Sequence, residues 1–369
     1  MLPLNWQRVR LGDICEINPP TIIPNVFYYI DLENVEKGQL LNKQLMTKNK
    51  APSRARRLLS KNDILYQLVR PYQRNNYFFT LNGNYVASTG YAQIRTLQNP
   101  SFLYFALHSN YFVNAVLDRC EGTSYPAISS NELKKCEVIL PPLNEQSAIA
   151  NILSGLDRYL CALDALILKK EGVKKALSFE LLSQRKRLKG FNQAWQKVRL
   201  GDICEITTGS LDANEMVHYG KYRFYTCAKE YYFIDKYAFD TEAILISGNG
   251  AYVGYVHYYK GKFNAYQRTY VLDNFSEHII FVKYFLTMFL QSHIQTNRNE
   301  GNTPYIVMAT LKDFEILLPP LNEQSAIANI LSDLDNEITS LKNKKRQFEN
   351  IKKALNHDLM SAKIRVLEK

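Results

Sequence analysis

One short segment of the sequence matches an active-site motif of adenine methyltransferases. Asn18-Pro19-Pro20 supplies the Asn-Pro-Pro core of that motif. Those enzymes need an aromatic residue next, because it stacks on the base that has been turned out of the duplex. Here the next residue is Thr21, and no glycine-rich cofactor loop accompanies the motif. We therefore interpret the segment as a turn.

Other possible catalytic, nucleotide-binding or metal-binding motifs in the sequence are weak or missing. Glu132-Leu133-Lys134 is an isolated Glu-x-Lys, a pattern too common to indicate a nuclease, and no Gly-x-x-x-x-Gly-Lys-Ser/Thr loop for ATP is present. The six histidines and six cysteines lack metal-ligand spacing and the pairing of a nucleophile with a base. The scattered cysteines predict reduced thiols. We expect no metal, no cofactor and no catalysis by this chain.

The charge of the chain favours a polyanionic partner such as nucleic acid. Its 46 Lys and Arg residues exceed its 35 Asp and Glu residues, which gives a formal net charge of +11. The excess is uneven, because residues 190–320 are close to neutral, so DNA contact there needs a local basic patch. No signal peptide or membrane-spanning apolar run is visible, so we expect a cytoplasmic protein without a membrane partner.

Basic and amide side chains in loops are the candidates for DNA contact. Arginine suits phosphates and guanine, and glutamine or asparagine suits adenine, in the major groove. An ordinary solvated loop is the alternative for the arginine-rich cluster, and a hairpin turn is the alternative for Gly248-Asn249-Gly250. The predicted DNA-binding residues are Arg54, Arg56, Arg57, Arg70, Gln73, Arg74, Ser124, Tyr125, Lys221, Arg223, Asn249, Gln267, Arg268, Thr303 and Tyr305.

Two stretches of the sequence occur twice, so the chain is a tandem duplication. Trp6–Ile17 recurs at Trp195–Ile206, and Leu140–Asp157 recurs at Leu318–Asp335, each with a single change. Between these stretches the two copies differ. Near-identity at the edges with divergence inside predicts a shared frame that presents two different surfaces. A duplication without division of function is the alternative, but the interiors should then match as well.

The residues between the repeated stretches are typical of short strands and turns. Runs rich in Tyr, Phe, Val and Ile alternate with Gly, Asn and Pro. One apolar helix is predicted in each copy, over about residues 101–117 and 277–295. The fold class is therefore α+β, with two α/β domains. The clearest predicted strands are Phe27–Ile30, Asp63–Tyr66, Tyr77–Thr80, Ala243–Ile246 and Tyr252–Tyr259.

A long helix is predicted to follow the Leu-Pro-Pro-Leu stretch of each copy. Asn144 and Asn322 are suitable N-caps for these helices. Glu145 and Glu323 then lie in the first turn, where a negative charge favours the helix dipole. Apolar residues at alternating spacings of three and four follow in both copies, over roughly 45 residues of helix.

These apolar stripes need a partner surface. The stripe of the other copy is the expected mate, which predicts two antiparallel coiled-coil helices related by a pseudo-two-fold axis. Docking of each stripe on its own domain is the alternative. The predicted organisation is a domain at 1–142, a helix at 143–189, a second domain at 190–320 and a second helix at 321–369. The stripe residues are Ile149, Ile152, Leu156, Tyr159, Leu163, Leu166, Val173 and Leu177, then Ile327, Ile330, Leu334, Leu341, Phe348, Ile351 and Leu355.

The order of these segments resembles the specificity (S) subunit of type I restriction–modification systems, over essentially the whole chain. The most specific element is Pro-Pro-Leu-x-Glu-Gln-x-x-Ile, present at Pro141–Ile149 and Pro319–Ile327. The Trp6 and Trp195 stretches are similar to the Trp-x-x-x-x-Leu-Gly-Asp domain opening of the family. Weaker likenesses to its target-recognition domains lie at Asp63–Tyr72 and Ile244–Gly254.

The resemblance implies a function without catalysis. Each globular domain would be a target-recognition domain that reads one half of a split target in double-stranded DNA. The helix pair would set the gap between the halves and dock two modification (methyltransferase) subunits, and restriction subunits could join. Half-sites held about one helix length apart would be separated by one to two duplex turns, at ~34–36 Å a turn. A coiled-coil scaffold for proteins alone, a variant that no longer supports restriction, and a self-contained methyltransferase are the competing interpretations.

Overall fold

The structure is a computed structural model that describes residues 3–297 and 304–366. It divides into two compact units. Unit 1 comprises Met1–Asp164 and Asn343–Lys369, and unit 2 comprises Ala165–Lys342. Both units mix helices with β-sheet, as the sequence predicts. No helix in the described ranges is long and apolar enough to cross a membrane.

The elements of unit 1 are mostly short strands, with short helices between them and the start of a long helix at the end. In chain order they are β1 (Gln7–Arg10), α1 (Leu11–Ile14), β2 (Cys15–Ile17), β3 (Val26–Ile30), β4 (Val35–Glu36), β5 (Gln39–Leu40), β6 (Gln44–Thr47), β7 (Ala55–Leu58), β8 (Ile64–Gln67), β9 (Tyr77–Phe78), β10 (Tyr85–Ser88), β11 (Tyr91–Thr96), α2 (Pro100–Ala106), α3 (Asn110–Leu117), α4 (Ser130–Lys135), β12 (Glu137–Leu140) and α5 (Leu143–Leu182).

Two four-stranded sheets form the body of unit 1. One has the order β6-β3-β10-β7, in which only β3 and β10 are parallel. The other has the order β2-β11-β8-β9 and is antiparallel throughout. All four residues of β8 are buried, as expected for a short run without polar alternation. The strand predicted at Asp63–Tyr66 is thus confirmed within one residue, whereas that at Tyr77–Thr80 is only two residues long.

Unit 2 carries longer strands than unit 1. After the remainder of α5 its elements are β13 (Gln196–Arg199), β14 (Glu205–Thr208), β15 (Tyr222–Tyr225), β16 (Tyr232–Ile234), β17 (Phe239–Ser247), β18 (Val256–Ala265), β19 (Thr269–Asp273), α6 (Ile279–Asn297), α7 (Met308–Lys312), β20 (Glu315–Leu318) and α8 (Leu321–Met360), the last of which continues into unit 1.

One six-stranded sheet dominates unit 2. Its order is β14-β19-β17-β18-β15-β16, in which only β15 and β18 are parallel. The strand predicted from Tyr252 begins only at Val256, because Tyr252–Tyr255 form a turn. The Gly254 N–H closes that turn on the Ser247 carbonyl at 2.8 Å, with Gly254 in a left-handed backbone conformation.

The helix predicted over residues 101–117 is two helices, so that prediction was wrong. The chain leaves the helix after Ala106, and the Ser109 hydroxyl accepts a hydrogen bond from the Phe112 N–H at 3.2 Å. Ser109 is therefore an N-cap that starts α3. Phe102 and Phe112, one on each helix, are fully buried in unit 1.

The repeated stretches of sequence pair with each other inside each unit. In unit 1, β1 and β12 are antiparallel, with Gln7 opposite Leu140. In unit 2, β13 and β20 pair in the same register, with Gln196 opposite Leu318. The near-identical edges of the two copies thus form the same two-stranded frame twice, which agrees with the shared frame predicted from the sequence.

Helices α5 and α8 contain 40 residues each, fewer than the ~45 expected. They begin directly after the proline pairs, since the Pro142 carbonyl already accepts the Gln146 N–H at 2.9 Å. Asn144 and Asn322 lie inside the first turn, so their prediction as N-caps was wrong.

Ion pairs join α5 to α8 within each unit. In unit 1, Lys352 pairs with Asp157, and the Lys345 Nζ lies 2.5 Å from an Asp164 carboxylate oxygen. Residue numbers rise along α5 as they fall along α8, so these segments run antiparallel. The Tyr159 and Phe348 rings also pack with their centroids 4.7 Å apart.

In unit 2 the same two helices are joined by a second set of ion pairs. The Lys170 Nζ lies 2.8 Å from a Glu337 carboxylate oxygen, and Lys174 pairs with Asp335. Again the numbering of one segment rises as that of the other falls. The segments therefore run antiparallel here as well.

A buried glutamate at the start of α5 holds three parts of unit 1 together. The Trp6 Nε1–H donates to a Glu145 carboxylate oxygen at 3.0 Å. The Arg365 guanidinium donates to both oxygens of Glu145, at 2.6 and 2.9 Å. Glu145 is fully buried, so a charged partner such as this arginine is what a carboxylate in that position needs. The sequence-based role of Glu145, a favourable charge at the helix dipole, describes only part of its environment.

Unit 2 repeats this arrangement with the equivalent residues. The Trp195 Nε1–H donates to Glu323 at 3.2 Å, and the Arg187 guanidinium donates to both Glu323 oxygens at 2.8 Å. Arg187 follows α5 and Arg365 follows α8. Each unit therefore takes its arginine from the segment that follows the helix of the other copy.

Candidate nucleic-acid interface

Three loops of unit 1 meet beyond the end of β8. The Leu68 N–H donates to the Gly90 carbonyl and the Ile128 N–H donates to the Leu68 carbonyl, both at 3.0 Å. The Arg70 N–H donates to the Pro126 carbonyl at 2.7 Å. These bonds hold the loops side by side. We call the loop residues 68–70, 88–90 and 124–128 the unit 1 junction.

The equivalent loops of unit 2 are joined by the same three bonds. The Gly248 N–H donates to the Arg268 carbonyl at 2.8 Å, and the Ile306 N–H donates to the Gly248 carbonyl at 3.0 Å. The Gly250 N–H donates to the Pro304 carbonyl at 2.9 Å. The backbone of the two copies is alike here although the side chains differ. We call residues 248–250, 266–268 and 304–306 the unit 2 junction.

The unit 1 junction brings three of the predicted residues together. The Arg70 guanidinium carbon lies 4.1 Å from the centre of the Tyr125 ring, and the side chain of Tyr125 is 64% exposed. Ser124 is exposed beside it. A cation stacked on an exposed ring next to a hydroxyl is a surface suited to phosphate or base edges.

Arg54 adjoins the unit 1 junction through its backbone, because its carbonyl accepts the Thr89 N–H at 2.8 Å. Its guanidinium forms an ion pair with Asp31 and donates to the Tyr29 hydroxyl at 3.2 Å. The side chain of Arg54 as a whole remains more than half exposed. Arg54 is thus oriented by two neighbours and still open to solvent.

Two further predicted arginines lie on β7. Arg56 is exposed, and its Nε–H donates to the Ser53 carbonyl at 2.7 Å. Arg57 is partly buried, and this burial, aided by the nearby charge of Arg56, lowers the pKa of its guanidinium. Of the pair, Arg56 is the one whose side chain is accessible.

Gln73 and Arg74 are engaged with other protein groups. The Gln67 side-chain amide donates to the Gln73 Oε1 at 2.9 Å. The Arg74 guanidinium donates to the His108 carbonyl at 2.9 Å and to the Asn110 Oδ1 at 2.8 Å. These bonds tie the turn after β8 to the connection between α2 and α3. Arg74 therefore has a structural role that its sequence neighbourhood does not reveal.

The unit 2 junction contains most of the predicted residues of the second copy. Asn249 and Tyr305 face each other in a short antiparallel backbone bridge. Gln267 and Arg268 are exposed on the turn between β18 and β19. Thr303 lies outside the described residues. Amide, guanidinium and phenol groups are thus presented together on this side of unit 2.

The glycines of the Gly248-Asn249-Gly250 loop are explained by backbone packing. A Cβ at Gly248 would lie 2.3 Å from the Arg268 carbonyl oxygen, and Gly250 has φ +80°. The Gly250 N–H is already bonded to Pro304. Since that amide is occupied, the structure favours the turn over the phosphate-approaching loop.

Lys221 directly precedes β15, and Arg223 is the second residue of that strand. Lys221 is exposed, whereas the Arg223 guanidinium sits over the rings of Tyr231 and Tyr259, with centroid distances of 4.2 and 4.5 Å. Lys229 is not among the predicted residues, and its Nζ lies 5.1 Å from the centre of the exposed Tyr252 ring. Tyr252 follows Gly250 by two residues, and that proximity was the available signal.

The Asn18-Pro19-Pro20 segment is held by bonds within unit 1. The Asn18 Nδ2 donates to the Ser130 hydroxyl at 2.8 Å, and its Oδ1 accepts the Gln93 N–H at 3.0 Å. Both ends of this amide are therefore committed to protein partners, which supports its interpretation as a turn. Within the described ranges no group of three or more His, Cys, Asp or Glu side chains could hold a metal ion.

The family model of the type I restriction modification DNA specificity domain matches residues 3–170 and 192–350. The chain belongs to this family. Each matched segment of the type I specificity family contains one junction and one Trp–Glu pair. The two junctions are therefore equivalent parts of two specificity domains.

Named relatives of the type I specificity family are similar to different extents. The specificity subunit of the type I restriction enzyme EcoDI from Escherichia coli is 40% identical over 162 residues, which are 43% of this chain and 35% of that protein. The MjaVIII specificity subunit from Methanocaldococcus jannaschii is 23% identical over 99% of this chain and 94% of that protein.

A solved structure shares the fold of the chain. The type I restriction–modification S subunit from M. genitalium superposes with a TM-score of 0.66, covering 97% of this chain and 98% of that one at 18% identity. At this identity the likeness concerns the fold alone.

Proposed function

We propose that this chain is the DNA-specificity subunit of a type I restriction–modification complex and performs no chemistry itself. Residues 1–142 and 190–320 are its two target-recognition domains, and each reads one half of a bipartite sequence in double-stranded DNA. The observation that carries this proposal is the pair of junctions, where one hydrogen-bonded backbone frame presents two unlike sets of side chains.

The unlike side chains account for two different half-sites. The unit 1 junction offers Arg70 and Tyr125, whereas the unit 2 junction offers Asn249, Arg268 and Tyr305. Guanidinium groups suit guanine and phosphates, and amides suit adenine. Because the frame is the same and the donors differ, each domain selects its own bases.

The long helices, within residues 143–189 and 321–369, set the gap between the half-sites. We infer that they form one antiparallel coiled coil with pseudo-two-fold symmetry. The ion pairs support this, since Asp335 and Lys352 occupy the repeat positions of Asp157 and Lys174. Asp157–Lys352 and Lys174–Asp335 are therefore the same pair with the copies exchanged.

The same helices offer docking sites for modification subunits. Leu143 and Leu321 occupy equivalent positions and are 57% and 55% exposed. An apolar side chain left exposed at the same place in both copies is suited to two identical partners. Two modification subunits would supply methyl-donor binding and methyl transfer, and restriction subunits could join this assembly.

The proposal is tested by exchanging one domain. The chain is produced with the modification subunit from its own genome in a host without adenine methylation, and methylated adenines are mapped across that genome. A split motif is expected. Replacing residues 195–318 with the corresponding segment of another specificity subunit should change one half of the motif and leave the other half and the gap unchanged.

Two other results would contradict the proposal. A complex that assembles but leaves no sequence-specific footprint or methylation would identify the chain as a protein scaffold. Transfer of labelled methyl groups to DNA by the isolated chain would identify a self-contained methyltransferase.

A further inference from the structure

The backbone of Arg70 adopts a conformation that suits glycine. Its φ is +54°, in the left-handed region that side chains rarely occupy. The equivalent position of unit 2 is Gly250, which adopts φ +80° without penalty. Both residues donate their N–H to a proline carbonyl in the same bond. The backbone conformation at this position favours glycine, yet residue 70 is an arginine. The side chain of Arg70 is therefore expected to make a contact that offsets the backbone strain.

The Arg70 guanidinium has no protein partner that would explain it. Among residues 3–297 and 304–366 it makes no hydrogen bond or ion pair, and its buried Nε lacks an acceptor. The guanidinium stacks on the ring of Tyr125, with its carbon 4.1 Å from the ring centre. Stacking fixes the plane of the guanidinium without using its N–H groups, so the donors on its two terminal nitrogens remain available to a ligand.

Arg74 provides the contrast within the same loop. It too is left-handed, with φ +56°, but its guanidinium is bonded to the His108 carbonyl and the Asn110 side chain. Those bonds explain why an arginine is kept at position 74. No such bonds explain Arg70.

We propose that Arg70 is the specificity-determining residue of the first recognition domain and reads a guanine in the major groove. Its oriented guanidinium donates two parallel hydrogen bonds to O6 and N7 of that base. Tyr125 is a positioning residue that holds the plane of the guanidinium. The second domain cannot make this contact, because its equivalent residue is Gly250. This inference rests on the proposed function.

The experiment compares variants of the full complex of this chain with its modification subunit. Arg70→Gly removes the side chain and leaves the residue type that the backbone favours, so the domain should fold. Arg70→Lys keeps the charge but loses the planar pair of donors. Arg74→Gly is the matched control, and Tyr125→Phe and Tyr125→Ala test the stack. Binding is measured on the mapped target duplex and on duplexes with each base pair of the half-sites replaced.

The expected result is a loss confined to one base pair. In the wild type, replacing one G·C pair in one half-site should weaken binding about 10- to 100-fold. With R70G and R70K this dependence should disappear at that pair only. Y125F should retain it and Y125A should reduce it. R74G should leave the preferred bases unchanged and lower the melting temperature.

Other outcomes overturn the inference in distinct ways. Uniform weakening on all duplexes with a shallower salt dependence would make Arg70 a phosphate contact. An unchanged base preference in R70G would exclude it from recognition, while the proposed function would stand. Absence of any sequence preference in the wild-type complex would instead contradict the proposed function itself.

Discussion

His108 is a histidine of unit 1 that the fold keeps neutral. Its Nδ1 lies 2.7 Å from the Tyr104 carbonyl, and its Nε2 lies 3.5 Å from the side-chain amide of Asn76. Burial lowers the pKa of the imidazole to about 4, although the hydrogen bond to Tyr104 opposes this shift. A neutral ring can donate through Nδ1 while it accepts through Nε2, which matches both contacts.

This pKa shift predicts a pH dependence of stability. The unfolded ring takes up a proton below pH 6.5 and the folded ring only near pH 4, so the stabilisation is complete above pH 6.5 and is lost as the pH falls towards 4. Urea unfolding of wild type and His108→Gln should show a difference that shrinks by about 2 kcal/mol between pH 7.5 and 4.5. The exposed His218 gives the control variant H218Q, and a difference that stays constant with pH would contradict the prediction.

For single residues, the sequence indicates which side chains are chemically suited to DNA contact, but not which of them are free to make it. Arg70 and Tyr125 were both singled out as DNA-binding candidates, and the structure stacks them. Gln73 and Arg74 had the same signature in sequence, yet their partners Gln67 and His108 bind them to the protein. The role of Gln73 depends on the end of β8 and that of Arg74 on the position of α2 and α3, and residue types within one loop do not encode either.

At the scale of elements, each unit depends on an arginine from beyond the long helix of the other copy. Arg365→Ala would leave the buried carboxylate of Glu145 with the Trp6 indole N–H as its remaining donor among the described residues. We expect unit 1 to be destabilised, because a buried carboxylate would lose its charged partner, although by less than for a fully buried pair because Arg365 is partly exposed. Arg187→Ala should destabilise unit 2 in the same way, because Glu323 would lose its guanidinium donors.

The two tryptophans allow this prediction to be measured separately in each unit. Each lies in one Trp–Glu–Arg group, so a Trp195→Phe background reports unit 1 and a Trp6→Phe background reports unit 2. In urea unfolding followed by fluorescence, R365A should shift the Trp6 transition more than the Trp195 transition, and R187A the reverse. The double variant E145Q/R365A should lose less than the two single losses combined. Equal shifts of both transitions would contradict the assignment.

The boundaries of elements were predictable where a local pattern sets them. The buried run of β8 and the opening of α5 after Pro142 were found within one residue. The break between α2 and α3 was not predicted, because Ser109 is a single polar residue within an otherwise apolar stretch. Its role as an N-cap is evident only from the hydrogen bond that its hydroxyl accepts from the Phe112 N–H. Asn144 has a side chain typical of an N-cap, but the Pro142 carbonyl is already an acceptor of the first helical bonds, so the cap position lies before Asn144.

At the scale of the whole molecule, the proposed spacer predicts the effect of a matched deletion. Removing residues 160–166 and 343–349 takes seven residues from each helix and keeps the pairs Asp157–Lys352 and Lys170–Glu337 in register. A loss of about 10 Å of helix should shorten the gap between methylated half-sites by about 3 base pairs.

Mapping methylated adenines measures that gap. Deletion of residues 160–166 alone is the control, because it offsets the two helices and cannot keep both ion pairs. It should abolish methylation. An unchanged gap after the matched deletion would show that the helices do not set the spacing.

The duplication predicted the architecture of the chain more fully than any local signal. It predicted a shared frame at the edges of both copies, and the structure shows that frame as the strand pairs β1–β12 and β13–β20, whose pairing was not predicted. It did not predict the exchange of Arg187 and Arg365 between the copies, because an arginine beyond a helix end looks solvated until the buried Glu323 and Glu145 are located. It also did not predict that the two junctions are equivalent, because their bonds are made by the backbone and the residue types there differ between the copies.

Unit 1 is built from two separate segments of the chain, and this affects the order in which the units can fold during synthesis on the ribosome. Unit 2 is one continuous stretch, Ala165–Lys342, whereas unit 1 also requires residues from Asn343 onward. Leu359 and Met360, buried against Trp6 and Phe102, are translated after all of unit 2. Since a nascent chain can fold only what has emerged, the second unit can be completed first. Unit 1 can complete its fold only after the C-terminal residues of the chain have been synthesised.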